Sequence, residues 1–186
     1  MGRIEKQGIE IIVNTDASTN KETISGIAYC VKVNGTVVLK GRKAIDVRDI
    51  GKAEAFSVEF TIEELSKIFD FDIKYIRVVI RTDRIEIVRA MNGSNYDGWK
   101  FRDHYDNMKI LIVKGRFLEV RFEHVCREEN VEADREANKA RKEGENRYMN
   151  SAGNSIVGKE VEKTPKLKSD KTTLGNVSKK IGEKKK

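Results

Sequence analysis

Apolar and polar residues alternate along the first 45 positions, and this pattern predicts three β-strands. Residues 9–15 form a β-rich run that ends beside Asp16, and residues 24–33 alternate between two faces. The Asn34-Gly35 pair then predicts a tight hairpin, because both residues tolerate a positive φ. Residues 36–45 form the return strand, so we expect three antiparallel strands at the start.

A helical period replaces this alternation after residue 52. Apolar side chains recur along one stripe and predict a helix over 52–69, at Val58, Ile62, Leu65 and Phe69. The remaining pattern predicts a strand over 75–83, helices over 84–91 and 97–113, a strand over 117–125 and a helix over 130–143. This order predicts an α/β fold: a mixed five-stranded sheet, three antiparallel strands and then parallel strands, flanked by helices.

The positive charge of the 186-residue chain is concentrated in its last part. Residues 145–186 contain eleven Lys and Arg against five Asp and Glu, which gives +6 of the net charge of +7. The same segment has few large apolar side chains, so burial cannot offset the entropy lost on ordering it. We predict a folded domain over 1–144 and a basic, disordered tail over 145–186.

Composition also excludes two classes of protein. Two cysteines are too few for a disulfide-stapled secreted fold. The apolar runs are far shorter than the roughly 20 residues that span a bilayer, and the first residues lack the apolar core of a signal peptide. We expect a cytoplasmic, monomeric protein with no membrane partner, whose basic charge suits nucleic acid.

Four acidic residues stand where predicted elements meet the sheet. Asp16 and Asp83 end strands, whereas Glu54 and Asp134 lie in the first turns of helices. Each position also has a simpler explanation. Asp16 could form a turn, and Asp83 could cap the helix that follows it. The helix dipole could favour the negative charge of Glu54 in the first turn, and Asp134 could be one more acid on a charged helix.

Taken together, the four acids indicate a metal site. Neighbouring first and fourth strands would bring the four element ends together, and unpaired carboxylates there would repel one another. Oxygen ligands alone favour Mg²⁺ or Mn²⁺, and two histidines and two cysteines are too few and too scattered for zinc. Two such ions flanked by carboxylates are suited to phosphodiester hydrolysis.

The four motifs resemble the type 1 ribonuclease H family over residues 8 to about 144, and their wording is most similar to archaeal and plant-type members. The motifs are NTDAS, KAEAFSVEF, IRTDR and EHVCREENVEADREANKA. The resemblance implies a ribonuclease-H-like fold. It also implies an endonuclease that cuts the RNA strand of RNA–DNA hybrids with two Mg²⁺ ions, or Mn²⁺ in their place, leaving 5′-phosphate and 3′-hydroxyl ends.

The resemblance also assigns roles to individual residues. It implies that the catalytic and metal-binding acids are Asp16, Glu54, Asp83 and Asp134. His124 stands ten residues before the last acid, where the family has a mobile histidine that assists turnover, a task that Arg127 could share. We assign substrate-binding roles to Ser18, Lys52, Arg84, Arg127 and Asn130.

Several positions depart from the family pattern. Ala17 stands where many members have glycine, and RDIGK replaces an Asn-rich substrate loop. Ile85 replaces a polar residue that contacts bases, and residues 92–100 carry only Lys100 where some bacterial members have a basic insertion. These departures concern the grip on substrate, so a nuclease acting on double-stranded RNA is an alternative.

Three other classes compete with this interpretation. DEDD exonucleases begin with Asp-x-Glu, but Ser18 stands two residues after Asp16. Integrase-like enzymes prefer Glu as the last acid, and this chain has Asp134. A catalytically weak or inactive nucleic-acid-binding protein of the same fold is the non-enzyme alternative, and the presence of all four acids argues against it.

Overall fold

A computed structural model describes residues 8–20, 22, 24–69, 75–97 and 99–154, with side chains up to residue 150. The strands are β1 Ile9–Thr19, β2 Ser25–Val33, β3 Thr36–Ile45, β4 Ile76–Thr82 and β5 Glu119–His124. The α-helices are α1 Ile50–Ile68, α2 Ile85–Met91, α3 Arg102–Gly115 and α4 Val131–Asn154, with a 3-10 turn at Arg127–Glu129. The predicted order of elements is confirmed.

The strands form one sheet in the order β3-β2-β1-β4-β5. β1, β2 and β3 are antiparallel neighbours, whereas β4 and β5 run parallel to β1. The predicted hairpin is present, with Asn34 at φ 51° and Gly35 at φ 75°. The structure therefore has the mixed five-stranded sheet that the hydrophobic pattern predicted.

Helix α1 supplies the main apolar layer against the sheet. The Asp49 side chain accepts a hydrogen bond from the Lys52 backbone N–H at 3.0 Å and so caps the helix. Its buried stripe packs against β1, β2 and α3, and it includes Val58, Ile62 and Leu65. Burying such a stripe contributes roughly 1.5–3 kcal/mol for each large side chain.

Helix α4 packs through small residues instead. Ala133, Ala137 and Ala140 are fully buried, and their small side chains allow the helix axis to approach its neighbours closely. The prediction ended this helix at 143, but it continues to Asn154. Arg141 bonds Glu145 at 2.6 Å and Asn20 bonds the same carboxylate at 2.6 Å. Residues 145–154, which we predicted as the start of the tail, are thus helical.

The remaining predicted boundaries need two further corrections. β1 was predicted to end at residue 15, but it runs to Thr19, so Asp16 lies within the strand. α3 begins at Arg102 rather than at 97. The predicted disorder of residues 155–186 lies outside the described residues.

Backbone contacts divide the chain into the units Met1–Asn150 and Ser151–Lys186, and all four acids lie in the first unit. None of the helices in the described ranges is long and apolar enough to cross a bilayer.

Candidate active site

Asp16 and Asp83 lie side by side where β1 and β4 separate. The parallel pairing of the two strands ends at Asn14 and Arg81, and each aspartate follows two residues later. Beyond that point β1 continues beside β2, with Asp16 opposite Ala28. Asp16 is therefore a strand residue rather than a turn former, and it is only 7% exposed. Parallel register alone brings these two carboxylates to one edge.

Asp83 does not serve as the N-cap that would have explained it. The N-cap position of α2 is Arg84, and no side chain caps that helix. The Arg84 backbone N–H instead donates to the Thr82 hydroxyl at 3.2 Å. The Asp83 carboxylate is therefore not needed by the helix that follows it.

Glu54 reaches the same edge from the first turns of α1. The Ser57 hydroxyl lies 2.8 Å from the Asp16 carbonyl oxygen and 2.9 Å from that of Ala28, which fixes α1 against β1. The Glu54 side chain is 12% exposed. Its Oε2 atom lies 3.3 Å from Arg84 Nε but has no hydrogen bond of acceptable geometry. A buried carboxylate oxygen is thus left without a hydrogen-bond donor.

Asp134 is positioned by two buried asparagines that join β1 to the start of α4. Asn130 Nδ2 donates to the Thr15 carbonyl oxygen at 2.9 Å and lies 3.5 Å from Asp16 Oδ1. Asn14 Nδ2 donates to the Glu129 carbonyl oxygen at 3.2 Å. The Asp134 backbone N–H in turn donates to the Asn130 carbonyl oxygen. These bonds hold the first turn of α4, and with it Asp134, beside β1.

Burial and mutual repulsion raise the pKa of two of the acids. Desolvation, and then the charges of Asp83, Asp134 and Glu54, raise the pKa of Asp16 to about 8. Desolvation raises the pKa of Glu54 to about 7, with Arg84 lowering it and Asp83 raising it further. Arg127 lowers both values. Clustered, desolvated carboxylates of this kind are typical of functional sites.

The donor set suits a hard divalent cation, since it consists of carboxylate oxygens that are destabilised as anions. The orphaned Glu54 Oε2 fits the same requirement. Within the described ranges, however, no three His, Cys, Asp or Glu side chains are close enough together to hold one ion. Metal ligation by these residues therefore stays a prediction.

His124 and Arg127 are exposed residues on the segment that leads from β5 to α4. His124 ends β5 and is exposed rather than packed in the core. In register it lies opposite Thr82, one residue before Asp83. Arg127 is 79% exposed, and its Nη2 atom lies 3.9 Å from Asp134 Oδ1. Arg127 is therefore within reach of a ligand bound at the acids, and strand register places His124 at the same end of the sheet.

The other predicted substrate-binding residues are in different environments. Ser18 donates to Asn138 Oδ1 at 2.8 Å and accepts from Arg141 Nε at 3.1 Å, so it joins β1 to α4. Asn130 is buried and holds the same two elements together. Lys52 is exposed on α1, its ammonium 5.8 Å from the Phe56 ring centroid. Arg84 forms ion pairs with Glu54 and Glu86.

Sequence reasoning missed two residues that build this site and one contact within it. Ser57 and Asn14 carry no charge, and each acts through a hydrogen bond to a distant backbone carbonyl. The ion pair between Arg84 and Glu54 joins residues thirty positions apart. One signal was available, because Ser57 and Thr61 are polar residues within the apolar stripe of α1.

Solved structures similar to this chain include several type 1 ribonucleases H. LC11-RNase H1, isolated from compost by a metagenomic approach, has a TM-score of 0.65 at 22% identity and covers 73% of this chain and 97% of its own. The same protein in complex with an RNA/DNA hybrid has a TM-score of 0.61 at 22% identity and covers 72% and 98%.

Two further structures come from named organisms. RNase H1 from the halophilic archaeon Halobacterium salinarum has a TM-score of 0.58 at 19% identity, covering 70% of this chain and 96% of its own. The N-terminal RNase H domain of rv2228c from Mycobacterium tuberculosis has a TM-score of 0.57 at 20% identity, covering 80% and 99%. At these identities the likeness establishes the fold.

The sequence comparisons give the family. No curated protein matches the chain significantly. A family model described as reverse transcriptase-like matches residues 14–140, a span that begins just before Asp16 and ends after Asp134. The chain therefore belongs to this reverse transcriptase-like, ribonuclease-H-like family.

Proposed function

We propose that this protein is a metal-dependent endoribonuclease that hydrolyses the RNA strand of RNA–DNA hybrids. The observation that carries the proposal is the burial of Asp16 beside three other acids, which raises its pKa to about 8. Such clustering is costly for the chain alone and becomes favourable when a divalent cation binds. The hybrid complex of LC11-RNase H1, which has the same fold, supports the choice of substrate.

The residues of the site have separable tasks in this proposal. Asp16, Glu54, Asp83 and Asp134 would hold two Mg²⁺ ions, or Mn²⁺ in their place. Ions so bound supply Lewis-acid stabilisation of the attacking and leaving oxygens of a phosphodiester. The Asn130 and Ser57 bonds keep α4 and α1 at fixed distances from β1, so the acids need little reorganisation on binding.

The exposed side chains act on the substrate. Arg127 and Lys52 offer cationic groups to phosphates on either side of the acids. His124 is paired in register with Thr82, one residue before Asp83, and would transfer a proton to or from an oxygen of the scissile phosphate. Cleavage of the bond between phosphorus and the 3′ oxygen then leaves 5′-phosphate and 3′-hydroxyl ends.

A parallel cleavage assay tests the function. RNA–DNA hybrid, double-stranded RNA, single-stranded RNA and double-stranded DNA are offered separately with Mg²⁺ and with Mn²⁺. We expect cleavage of the RNA strand of the hybrid. Preferential cleavage of double-stranded RNA would favour the second nuclease hypothesis, and hybrid binding without cleavage would favour the inactive binding protein.

The Asp83→Asn variant tests the site within the same assay. It keeps the shape of the side chain but removes the charge, so we expect cleavage to fall at least about 10³-fold while hybrid affinity measured in EDTA changes little. Asp103→Asn, at an exposed position on α3, is the matched control and should retain activity. Near wild-type cleavage by Asp83→Asn would refute the four-acid site.

A further inference from the structure

Arg84 is the cationic side chain in closest contact with the buried acid Glu54. Its Nε atom lies 3.3 Å from Glu54 Oε2 and 3.1 Å from Glu86 Oε2. A Cβ added to Gly51 would lie 3.1 Å from Arg84 Nη2, so the guanidinium rests directly on the first turn of α1. The side chain is thus held by two carboxylates and by a glycine that leaves room for it.

The contact with Glu54 is close but incomplete. Glu54 Oε2 is buried and accepts no hydrogen bond, although the guanidinium lies within ion-pair distance. The guanidinium therefore offsets the charge of Glu54 through proximity alone, without donating a hydrogen bond to it. Glu86, the second carboxylate in contact with Arg84, is half-exposed and is not one of the four acids. Arg84 can leave Glu54 and still keep one anionic partner.

These contacts imply competition at Glu54. A hard divalent cation binds a carboxylate oxygen directly, and a guanidinium at 3.3 Å from that oxygen would be repelled by it. Arg84 immediately follows Asp83, so a displaced guanidinium stays beside the four acids. There its planar fork of donors matches the geometry of a phosphate group.

We propose that Arg84 is the counter-ion of Glu54 in the metal-free protein, which a bound divalent cation displaces and so frees for a substrate phosphate. This inference rests on the proposed function, because it takes Glu54 as a ligand. It makes metal binding and substrate binding mutually dependent. A metal ion that releases Arg84 from Glu54 favours substrate binding, and a substrate phosphate that holds Arg84 favours metal binding. Before metal binds, Arg84 pairs with the Glu54 carboxylate, and afterwards it contacts a substrate phosphate.

The test measures metal affinity without any nucleic acid or cleavage. Mn²⁺ is titrated calorimetrically into the full chain, into Arg84→Met and into Arg89→Met, which removes a positive charge from an exposed position on the same helix. Competition predicts that Arg84→Met binds Mn²⁺ about 2- to 5-fold more tightly, the scale of a partly exposed ion pair. Arg89→Met should bind with nearly wild-type affinity.

A double-mutant cycle identifies the partner. In a Glu54→Gln background the affinity gained from Arg84→Met should disappear, because the contact through which Arg84 competes is already gone. Equal Mn²⁺ affinities for wild type and Arg84→Met would overturn the inference. So would an equal gain in Arg89→Met, or a gain that persists in Glu54→Gln.

Hybrid binding gives the second readout. With a non-cleavable hybrid, wild type should gain more affinity between EDTA and Ca²⁺ than Arg84→Met does, because only wild type has a guanidinium to release. An equal gain in both proteins would overturn the second half of the inference. Failure of the nuclease function is seen separately, as a wild type that binds Mn²⁺ but cleaves none of the four substrates.

Discussion

Two buried carboxylates, Glu136 on α4 and Asp16 beside the start of α4, have opposite surroundings. Glu136 is 5% exposed and is surrounded by cations: Arg42 at 2.7 Å, Lys139 at 3.1 Å and Lys40 at 3.5 Å. Asp16, beside the start of α4, is as buried but is surrounded by acids. Similar desolvation thus acts on two carboxylates with opposite neighbours.

The pKa shifts express this difference. Burial raises the pKa of Glu136, but hydrogen bonds from Lys139 and Arg42 outweigh it, and the net pKa lies below its usual range. Burial raises the pKa of Asp16, and its acidic neighbours add to the effect. The ion network that joins α4 to β3 is stabilised by the charge on its carboxylate. In the metal-free candidate active site, by contrast, the buried carboxyl is more stable when it is protonated and uncharged. The contrast separates a carboxylate of a structural ion network from one whose surroundings are typical of functional sites.

The largest effect on stability is expected from Asp16→Asn. Between about pH 4 and pH 8 the folded chain keeps a proton on Asp16 that the unfolded chain releases, so the free energy of unfolding falls as pH rises. Asparagine removes this loss, and we expect the metal-free variant to be about 2–4 kcal/mol more stable than wild type at pH 8 and equal to it near pH 4. Cleavage activity should be lost at the same time.

Denaturant unfolding in EDTA at several pH values between 4 and 8 measures this difference. Asp103→Asn, at an exposed position, should keep the wild-type slope of stability against pH. If Asp16→Asn keeps that slope as well, neither burial nor the neighbouring acids raise the pKa of Asp16 in the folded chain, and its contrast with Glu136 disappears.

The fold was predictable because its signals are local. Alternation gave the first three strands, and the Asn34-Gly35 pair gave the hairpin that joins β2 and β3. Asp16 and Asp83 could be placed at one edge, because parallel neighbouring strands bring equivalent positions together whatever their side chains. These predictions needed only the period of the pattern and the rules of strand connection.

The partners of the buried charges were not predictable, because they depend on tertiary contacts. Glu136 lies in a run of charged residues that resembles a solvated helix face, and Arg42 stands ninety-four positions away. The ion pair of Arg84 with Glu54 was hidden in the same way. The length of α4 was underestimated because its last turns have no apolar stripe and are held by polar contacts such as that of Glu145.

Glu136→Gln should have a smaller effect of the opposite sign. The native charge contributes stability above the unfolded pKa, which is lost as pH falls through the lowered folded value. Because the three cations around it are themselves partly exposed, we expect a loss of about 1–3 kcal/mol at pH 7. Glu143→Gln is the matched control, since it removes a half-exposed partner of the same Arg42 on the same helix.

Chemical denaturation at pH 7 and again near pH 4 measures the loss. Glu143→Gln should cost less than Glu136→Gln, and the cost of Glu136→Gln should shrink at the lower pH. Its Mn²⁺ affinity should stay near the wild-type value, because Glu136 contributes no ligand to the four acids. A Glu136→Gln variant as stable as wild type at pH 7 would show that its ion pairs do not offset its burial.

The smallest effect is expected from Lys139→Met. Lys139 lies one turn after Glu136 on α4 and is half-exposed, so water replaces its contact readily. Arg42 and Lys40 would still face the carboxylate. We expect a loss of about 0.5 kcal/mol or less at pH 7, measured by denaturant unfolding, and a larger loss for Arg42→Met, which removes bonds to both Glu136 and Glu143. If Lys139→Met were as costly as Glu136→Gln, the carboxylate would depend on one cation rather than on a network, and the contrast with Asp16 would rest on a single ion pair.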